Sequence, residues 1–251
     1  MLSDQDFLRY QRQISLPEIG ESGQEKIIQS HVLIIGCGGL GSAASLYLAA
    51  AGVGRIVLVD DDDVDTSNLQ RQIAYREDNL GKAKTEAMRQ QLNQLNSGVQ
   101  MRTIGKRLSA SQLALEVMLA DVVLDCTDNI QTRQLINLVC YQQSKPLVSA
   151  AAIGWQGQFA VFDYSSNKES GCYRCLYPFD ELSKPSKCSE NGIMGPVVGT
   201  LGNYQALATL QKLALGYFDF PVGQLHLFNG LKLNWQVMKI ARDRQCSVCS
   251  Q

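Results

Sequence analysis

The amino-acid sequence predicts an α/β protein built on a Rossmann-like, doubly wound, mostly parallel sheet with an antiparallel C-terminal portion. Three observations predict it. From Val32 onward short apolar runs alternate with helical stretches, the pattern of βαβ units. The first run is followed at once by Gly36, Gly38 and Gly41 in G-x-G-x-x-G spacing, and these open an Ala-rich helical stretch. Asp60 then closes the second apolar run, at about the distance expected of a ribose-binding acid. A doubly wound unit can fill all 251 residues with a sizeable core, so one domain over residues 1–251 is expected.

The elements follow in order. Residues 1–28 are polar with scattered apolar positions and read as a short helix leading into an N-terminal helical arm. Residues 32–35 (VLII) form the first strand, the stretch after Gly39 the first helix, and residues 56–59 (IVLV) the second strand. Residues 82–96 have helical composition and stop at the polar turn signal Asn96-Ser97-Gly98. Residues 100–104 (QMRTI) are a less apolar strand candidate. Residues 122–126 (VVLDC) read as a buried central strand, with Thr127-Asp128-Asn129 at its carboxyl end, where open α/β sheets place ligand groups. A helix over 130–144 and a strand over 147–150 complete another unit. After Gly154 the texture changes, and 158–162, 225–228 and 235–240 read as strands of the antiparallel portion. Between them, residues 180–191 are polar with prolines and serines and read as a mobile loop. Residues 197–215 form a long, mostly apolar helix suited to core or interface.

Composition narrows the functional classes. Lys and Arg number 23 against 24 Asp and Glu, a formal charge of -1 that gives no basic excess for nucleic acid. No unbroken apolar stretch approaches the ~20 residues needed to cross a bilayer. The chain opens on Ser3, Asp4 and Asp6 and not on a basic-then-apolar leader, so a cytoplasmic protein with no membrane role is expected. Eight cysteines in so long a chain, some in CxxC pairs, favour metal ligation over a secreted disulfide framework.

The candidate chemistry begins at the glycine turn. Its backbone N–H groups, at a helix N-terminus, would meet a phosphate, although a tight turn that binds nothing has the same spacing. Asp60 to Asp63 could be a solvated acidic turn. Four adjacent carboxylates at the carboxyl edge of a sheet repel one another, however, and suit holding ribose hydroxyls or shaping a site, Asp60 and Asp62 foremost. Asn68, Arg71, Lys84 and Asp128 complete the set. The arginine and lysine could neutralise the phosphates of ATP, and Asp128, with Asn129 beside it, could hold Mg²⁺. Taken singly, each basic residue could equally be a solvated surface charge.

Cys172 and Cys175 form one CxxC pair and Cys246 and Cys249 another. Two such pairs supply the closed, sulfur-only shell of a structural zinc, here tying the C-terminal tail to the body. Cys37, Cys126 and Cys140 lie in apolar contexts and read as small core residues. Cys188 lies in the polar loop near Lys184 and Lys187, where a thiolate could be exposed and reactive or simply an ordinary loop cysteine. His31 and His226 are isolated and take structural or surface roles.

The segments GCGGLGS, VDDDDV, SNLQRQ, LDCTDN, GCYRCL, GPVVGTLG and the closing CSVC resemble the ThiF/MoeB/HesA family, the bacterial E1-like adenylyltransferases of sulfur carriers. The resemblance covers nearly the whole chain in order. The four-aspartate run, GCYRCLYP and LFNG lean toward the ThiF branch, which serves a thiamine-pathway carrier, with the molybdopterin branch close. The resemblance implies adenylation of the C-terminal Gly-Gly of a ubiquitin-like sulfur-carrier protein, with ATP as substrate, Mg²⁺ and a structural Zn²⁺. It places Gly39 and Asp60 on the nucleotide, Asn68, Arg71 and Lys84 on the phosphates, and Asp128 on Mg²⁺. Arg12 would reach the ATP site of a neighbouring subunit, which makes a homodimer part of the active site. Cys188 matches a loop cysteine that links to the carrier during sulfur transfer, although its immediate surroundings depart from the family's; the sulfur would come from a separate persulfide donor.

Two other readings compete. An NAD-dependent oxidoreductase would use the glycine turn and Asp60 but leaves Arg71, Lys84 and Asp128 unexplained. A non-catalytic zinc-stapled scaffold would bind a ubiquitin-like partner without needing the nucleotide motif.

Overall fold

The computed structural model describes residues 1–166, 170–180 and 192–250. One eight-stranded sheet runs through it in the order β3-β2-β1-β4-β5-β6-β7-β8, with β1 His31–Ile35, β2 Arg55–Val59, β3 Gln100–Ile104, β4 Val122–Asp125, β5 Pro146–Ile153, β6 Gln156–Asp163, β7 Gln224–Asn229 and β8 Asn234–Lys239. The first five strands pair parallel and the last three join antiparallel, as the sequence pattern predicts. All five residues of β1 are buried, because a central parallel strand is covered on both faces. Its neighbours β2 and β4 are reached by connections running in opposite directions, so the switch point of the sheet lies at the carboxyl end of β1.

Two apolar layers cover the sheet. On one face α3 (Gly39–Ala50), α4 (Lys84–Leu95) and the long helix Gly195–Leu215, α8 here, pack on Ile34, Leu58 and Leu124. Gly202 lets α8 approach α3, since a Cβ there would stand 2.5 Å from the Leu40 carbonyl oxygen. On the other face α5 (Ala110–Leu119), α6 (Ile130–Gln142) and the C-terminal tail enclose Leu33, Val57 and Val123. The helix α5 is absent from the sequence expectation, although Ser109 and Gln112 form a capping box at its start.

The N-terminal segment also departs from expectation. It is not one helix and an arm but two helices, α1 (Asp4–Ile14) and α2 (Gly20–Gln29), packed on the body. Tyr10 is buried against Gly52, whose φ of +85° and lack of a side chain make room for the ring. Gln24 is fully buried and donates to the Ala51 carbonyl at 3.0 Å. Among the described residues no helix is long and apolar enough to cross a membrane.

Candidate functional site

The turn after β1 is shaped by glycines with different tasks. Gly36 has φ +96°, and a Cβ on it would stand 2.5 Å from the Cys126 carbonyl oxygen. Gly38 caps α3 without a side chain, and on Gly39 a Cβ would meet Val198 Cγ1 at 2.6 Å. The first amides of α3 therefore stay open toward the space above the sheet, the arrangement that receives an anion. Gly41, predicted to touch the nucleotide, does not line that space. It packs inside the turn, where a Cβ would stand 2.0 Å from the Gly36 carbonyl oxygen. Tyr75, outside the predicted set, secures the turn by donating its hydroxyl to the Cys37 carbonyl at 2.6 Å.

The acidic run after β2 is divided among separate partners. Asp60 accepts from the Cys37 amide at 2.7 Å and the Asp62 amide at 2.9 Å. Burial raises its carboxyl above the ordinary range, and those two amides offset part of the rise. Asp61 pairs with Arg107 at 2.9 Å and Asp62 with Lys84 at 2.8 Å. Carboxylate oxygens of Asp60, Asp61 and Asp62 lie within 4.8 Å of one another, and two of the three already have a cation as partner. Lys84 is in place because its own amide donates to the Asp62 carbonyl at 2.9 Å, fixing the start of α4 beside the acidic run.

Asn68 and Arg71 come from the short 3-10 turn Thr66–Asn68 and its exit. The Asn68 side chain accepts from the Asp65 amide at 3.1 Å, and Arg71 Nη1 donates to the Ser67 carbonyl at 2.8 Å. Asn129 caps α6 by accepting from the Thr132 amide at 2.9 Å. Asp128 is exposed and, among the described residues, makes no hydrogen bond or ion pair, so its carboxylate is available to a hard cation. Behind it lies a network that sequence reading missed. The buried Asp125 pairs with the buried Arg133 at 3.2 Å and accepts from Ser149 Oγ at 2.8 Å, and Arg133 also donates to the Thr127 carbonyl.

These elements enclose a cavity of about 830 Å³ lined by Gly36, Gly38, Gly39, Asp60, Asp62, Asn68, Arg71, Lys84, Asp128 and Asn129. The same cavity is also lined by Gln156, Gln158, Tyr173, Tyr177, Phe228 and Gln236. Its volume falls in the range of small-molecule and cofactor sites. Arg12 is exposed on α1 and does not line the cavity. Cys188 and the remainder of its predicted loop, 181–191, lie outside the described residues. Neither histidine lines the cavity: His31 lies within β1 and His226 packs edge-on to Phe159.

The four predicted zinc ligands converge. One sulfur from each of Cys172, Cys175, Cys246 and Cys249 falls within a 4.8 Å cluster, with Cys172 and Cys246 sulfurs 3.6 Å apart and those of Cys175 and Cys249 3.4 Å apart. All four belong to free cysteines, and a sulfur quartet of this size fits a tetrahedral structural zinc. Cys37, Cys126 and Cys140 are buried core thiols, and burial raises each above its ordinary range.

Comparison with known proteins places the geometry in context. The family described as "ThiF family" matches residues 10–248. The sulfur carrier protein ThiS adenylyltransferase of Escherichia coli (strain K12) is 46% identical over 248 residues, 99% of this chain and 97% of its own length. The molybdopterin-synthase adenylyltransferase of the same organism is 41% identical over 251 residues, 100% of this chain and 99% of its own. Among solved structures, PaaA aligns with a TM-score of 0.81 at 21% identity over 95% of this chain and 75% of that one. E. coli MccB aligns with a TM-score of 0.79 at 24% identity over 90% and 69%. At those identities the solved structures speak to the fold alone.

Proposed function

The chain belongs to the ThiF family, and from that premise we propose that it is a nucleotidyltransferase that uses ATP to adenylate the C-terminal glycine of a ubiquitin-like, ThiS-type sulfur carrier ahead of sulfur transfer in thiamine biosynthesis. The observation that carries this reading is a single cavity that Lys84, Arg71, Asp60 and the glycine turn line together with residues of β6, β7 and β8; we assign the nucleotide to the first group and the carrier's chain end to the second. A dehydrogenase has no use for Lys84 and Arg71 at the phosphates. Nor does either histidine reach the cavity to serve hydride transfer.

In the proposed reaction a carboxylate oxygen of the carrier's terminal glycine attacks the α-phosphorus of ATP. The bond between the α-phosphorus and the bridging oxygen breaks, and pyrophosphate leaves, giving the carrier acyl adenylate. No proton has to move, so the protein's work is positioning and charge neutralisation. The amides of α3 face the phosphates, Asp60 receives the ribose hydroxyls, and Arg71, Asn68 and Lys84 hold the phosphate chain. Lys84 turns from Asp62 toward the nucleotide as it does so. Asp128 would hold Mg²⁺, which would supply positive charge to the phosphate chain. The exposed Arg12 suits a residue given to the cavity of a second copy in a homodimer. Cys188 is the candidate for a later covalent link to the carrier, its sulfur supplied by a separate persulfide donor in the cytoplasm.

The second reading, adenylation of a molybdopterin-synthase small subunit, has the 41% relative behind it; the 46% relative favours the thiamine carrier. Pyrophosphate exchange into ATP, run with both carriers side by side, tests the proposal. Exchange should require Mg²⁺ and an intact Gly-Gly end and should favour the thiamine carrier. Exchange indifferent to removal of the two glycines sinks it, and preference for the molybdopterin carrier replaces it with the second reading.

A further inference from the structure

The helical turn Tyr173–Leu176, α7 here, belongs to the sulfur cluster and to the cavity at once. Its cap Cys172 and its third residue Cys175 are two of the four sulfurs, and Tyr173 and Tyr177, on either side of Cys175, line the cavity. A four-residue helix has too few internal hydrogen bonds to hold its shape alone. Its supports come from α6, from the loop that follows α7 and from the sulfur cluster. Asn137 on α6 accepts from the Tyr173 amide at 3.1 Å, Gln134 donates to the Tyr177 carbonyl at 2.6 Å, the Arg133 guanidinium hydrogen-bonds the Tyr173 side chain, Arg174 pairs with Asp180, and the two sulfurs face Cys246 and Cys249. From this seat the two rings lie 5.0 Å apart, and the Tyr177 hydroxyl donates to Gln158, a β6 residue that also lines the cavity. The nucleotide residues, by contrast, stand on the ends of β1, β2 and β4, on α3 and α4, on the 3-10 turn Thr66–Asn68 and its exit and, for Asn129, at the cap of α6, none of which carries a cluster ligand.

We infer that the four-cysteine centre is a positioning device for the carrier-binding part of the cavity: by fixing α7 it aims Tyr173 and Tyr177 against Gln158, so that metal loading sets how the carrier's chain end is held while the nucleotide-binding part stands independently. The inference rests on the reading that a carrier's C-terminus occupies that part. Tyr177 touches the chain end in this scheme, and the cysteines act through it. Metal content enters as a determinant of carrier affinity, beyond its part in tying down the tail.

The experiment compares three samples of the full chain: as purified with zinc, stripped with a chelator, and Tyr177→Phe with zinc. Metal content, ATP binding by calorimetry and carrier binding by calorimetry are measured on each. Stripped protein should keep its ATP affinity within about twofold and lose carrier affinity by about tenfold or more, the range typical for removing supports of a site. Tyr177→Phe, with full zinc, should weaken carrier binding about threefold or more without changing ATP binding, because it loses only the hydroxyl that fixes the ring to Gln158. Equal loss of ATP and carrier binding on stripping, including loss through unfolding, overturns the inference, since the metal is then a general staple. Unchanged carrier binding in either altered sample also overturns it. Failure of the underlying reading shows itself separately: the zinc-loaded wild type would then bind ATP but no carrier.

Discussion

Lys84 Nζ lies 2.8 Å from Asp62 Oδ2, with the lysine side chain 7% exposed and the aspartate 64%. The pair is therefore lopsided: a buried cation is held by a carboxylate that water can reach. A phosphate entering above α3 competes for the lysine against a solvated and easily relinquished partner. Lys84→Ala should lower pyrophosphate exchange by about two orders of magnitude or more, the worth of a charge-stabilising group at such a site. Asp62→Asn should cost less than about tenfold, because the lysine gains the phosphate in its place. Equal losses in the two variants would show that the pair acts as a unit.

Arg71 and Asp128 line the cavity from different elements, one from the exit of the 3-10 turn and one from beyond the end of β4. Arg71→Ala and Asp128→Ala should each reduce exchange by about two orders of magnitude, roughly 3 kcal/mol. The Asp128 variant should also need more Mg²⁺ for half-maximal rate. Retained exchange in both variants would move the phosphates elsewhere in the cavity.

The sequence made the nucleotide part of this cavity visible because its residues fall at the ends of strands that alternate with helices. Gly36 and Asp60 each follow an apolar run directly, and Asp128 comes four residues after one. The Asp125–Arg133–Ser149 network was not legible, since Ser149 reaches Asp125 from 24 residues away and a third element, α8, adds Gln205 to the Asp125 carbonyl from 80 away. The helix α5 escaped notice for a different reason: Leu115, Met118 and Leu119 face solvent, so apolar residues occupy both sides and blur the helical period. Tyr10 filling the space at Gly52 is likewise a fact of packing that no local pattern announces.

Gly41 was expected at the nucleotide and instead supports the turn from within. Gly41→Ala should destabilise the protein by about 3 kcal/mol or more, since the new Cβ would stand 2.0 Å from the Gly36 carbonyl oxygen, a backbone atom that no side-chain rotation can move aside. Gly199→Ala, on α8 with nothing within 4 Å of the added Cβ, should stabilise by about 0.5–1 kcal/mol. Urea unfolding of both variants checks the contrast. A mild Gly41→Ala would mean that the turn can shift as a body.

Asp60 gives the site a pH dependence whose sign can be worked out. Burial raises its carboxyl above the ordinary 3.8, with the Cys37 and Asp62 amides and Lys84 pulling part of the way back. The folded protein thus holds that proton more tightly than the unfolded chain. The resulting stability is fully present below the unfolded value and is lost as pH rises through the folded one. Nucleotide binding runs the other way, because hydrogen bonds from ribose hydroxyls to a carboxylate are stronger than those to its protonated form. ATP affinity should therefore fall as pH is lowered through a midpoint above 3.8. Asp60→Asn should bind ATP weakly at every pH and lose that step. Calorimetry from mildly acidic to neutral pH measures both, and a midpoint at or below the ordinary carboxylate value, or a step that persists in Asp60→Asn, would assign the titration to another group.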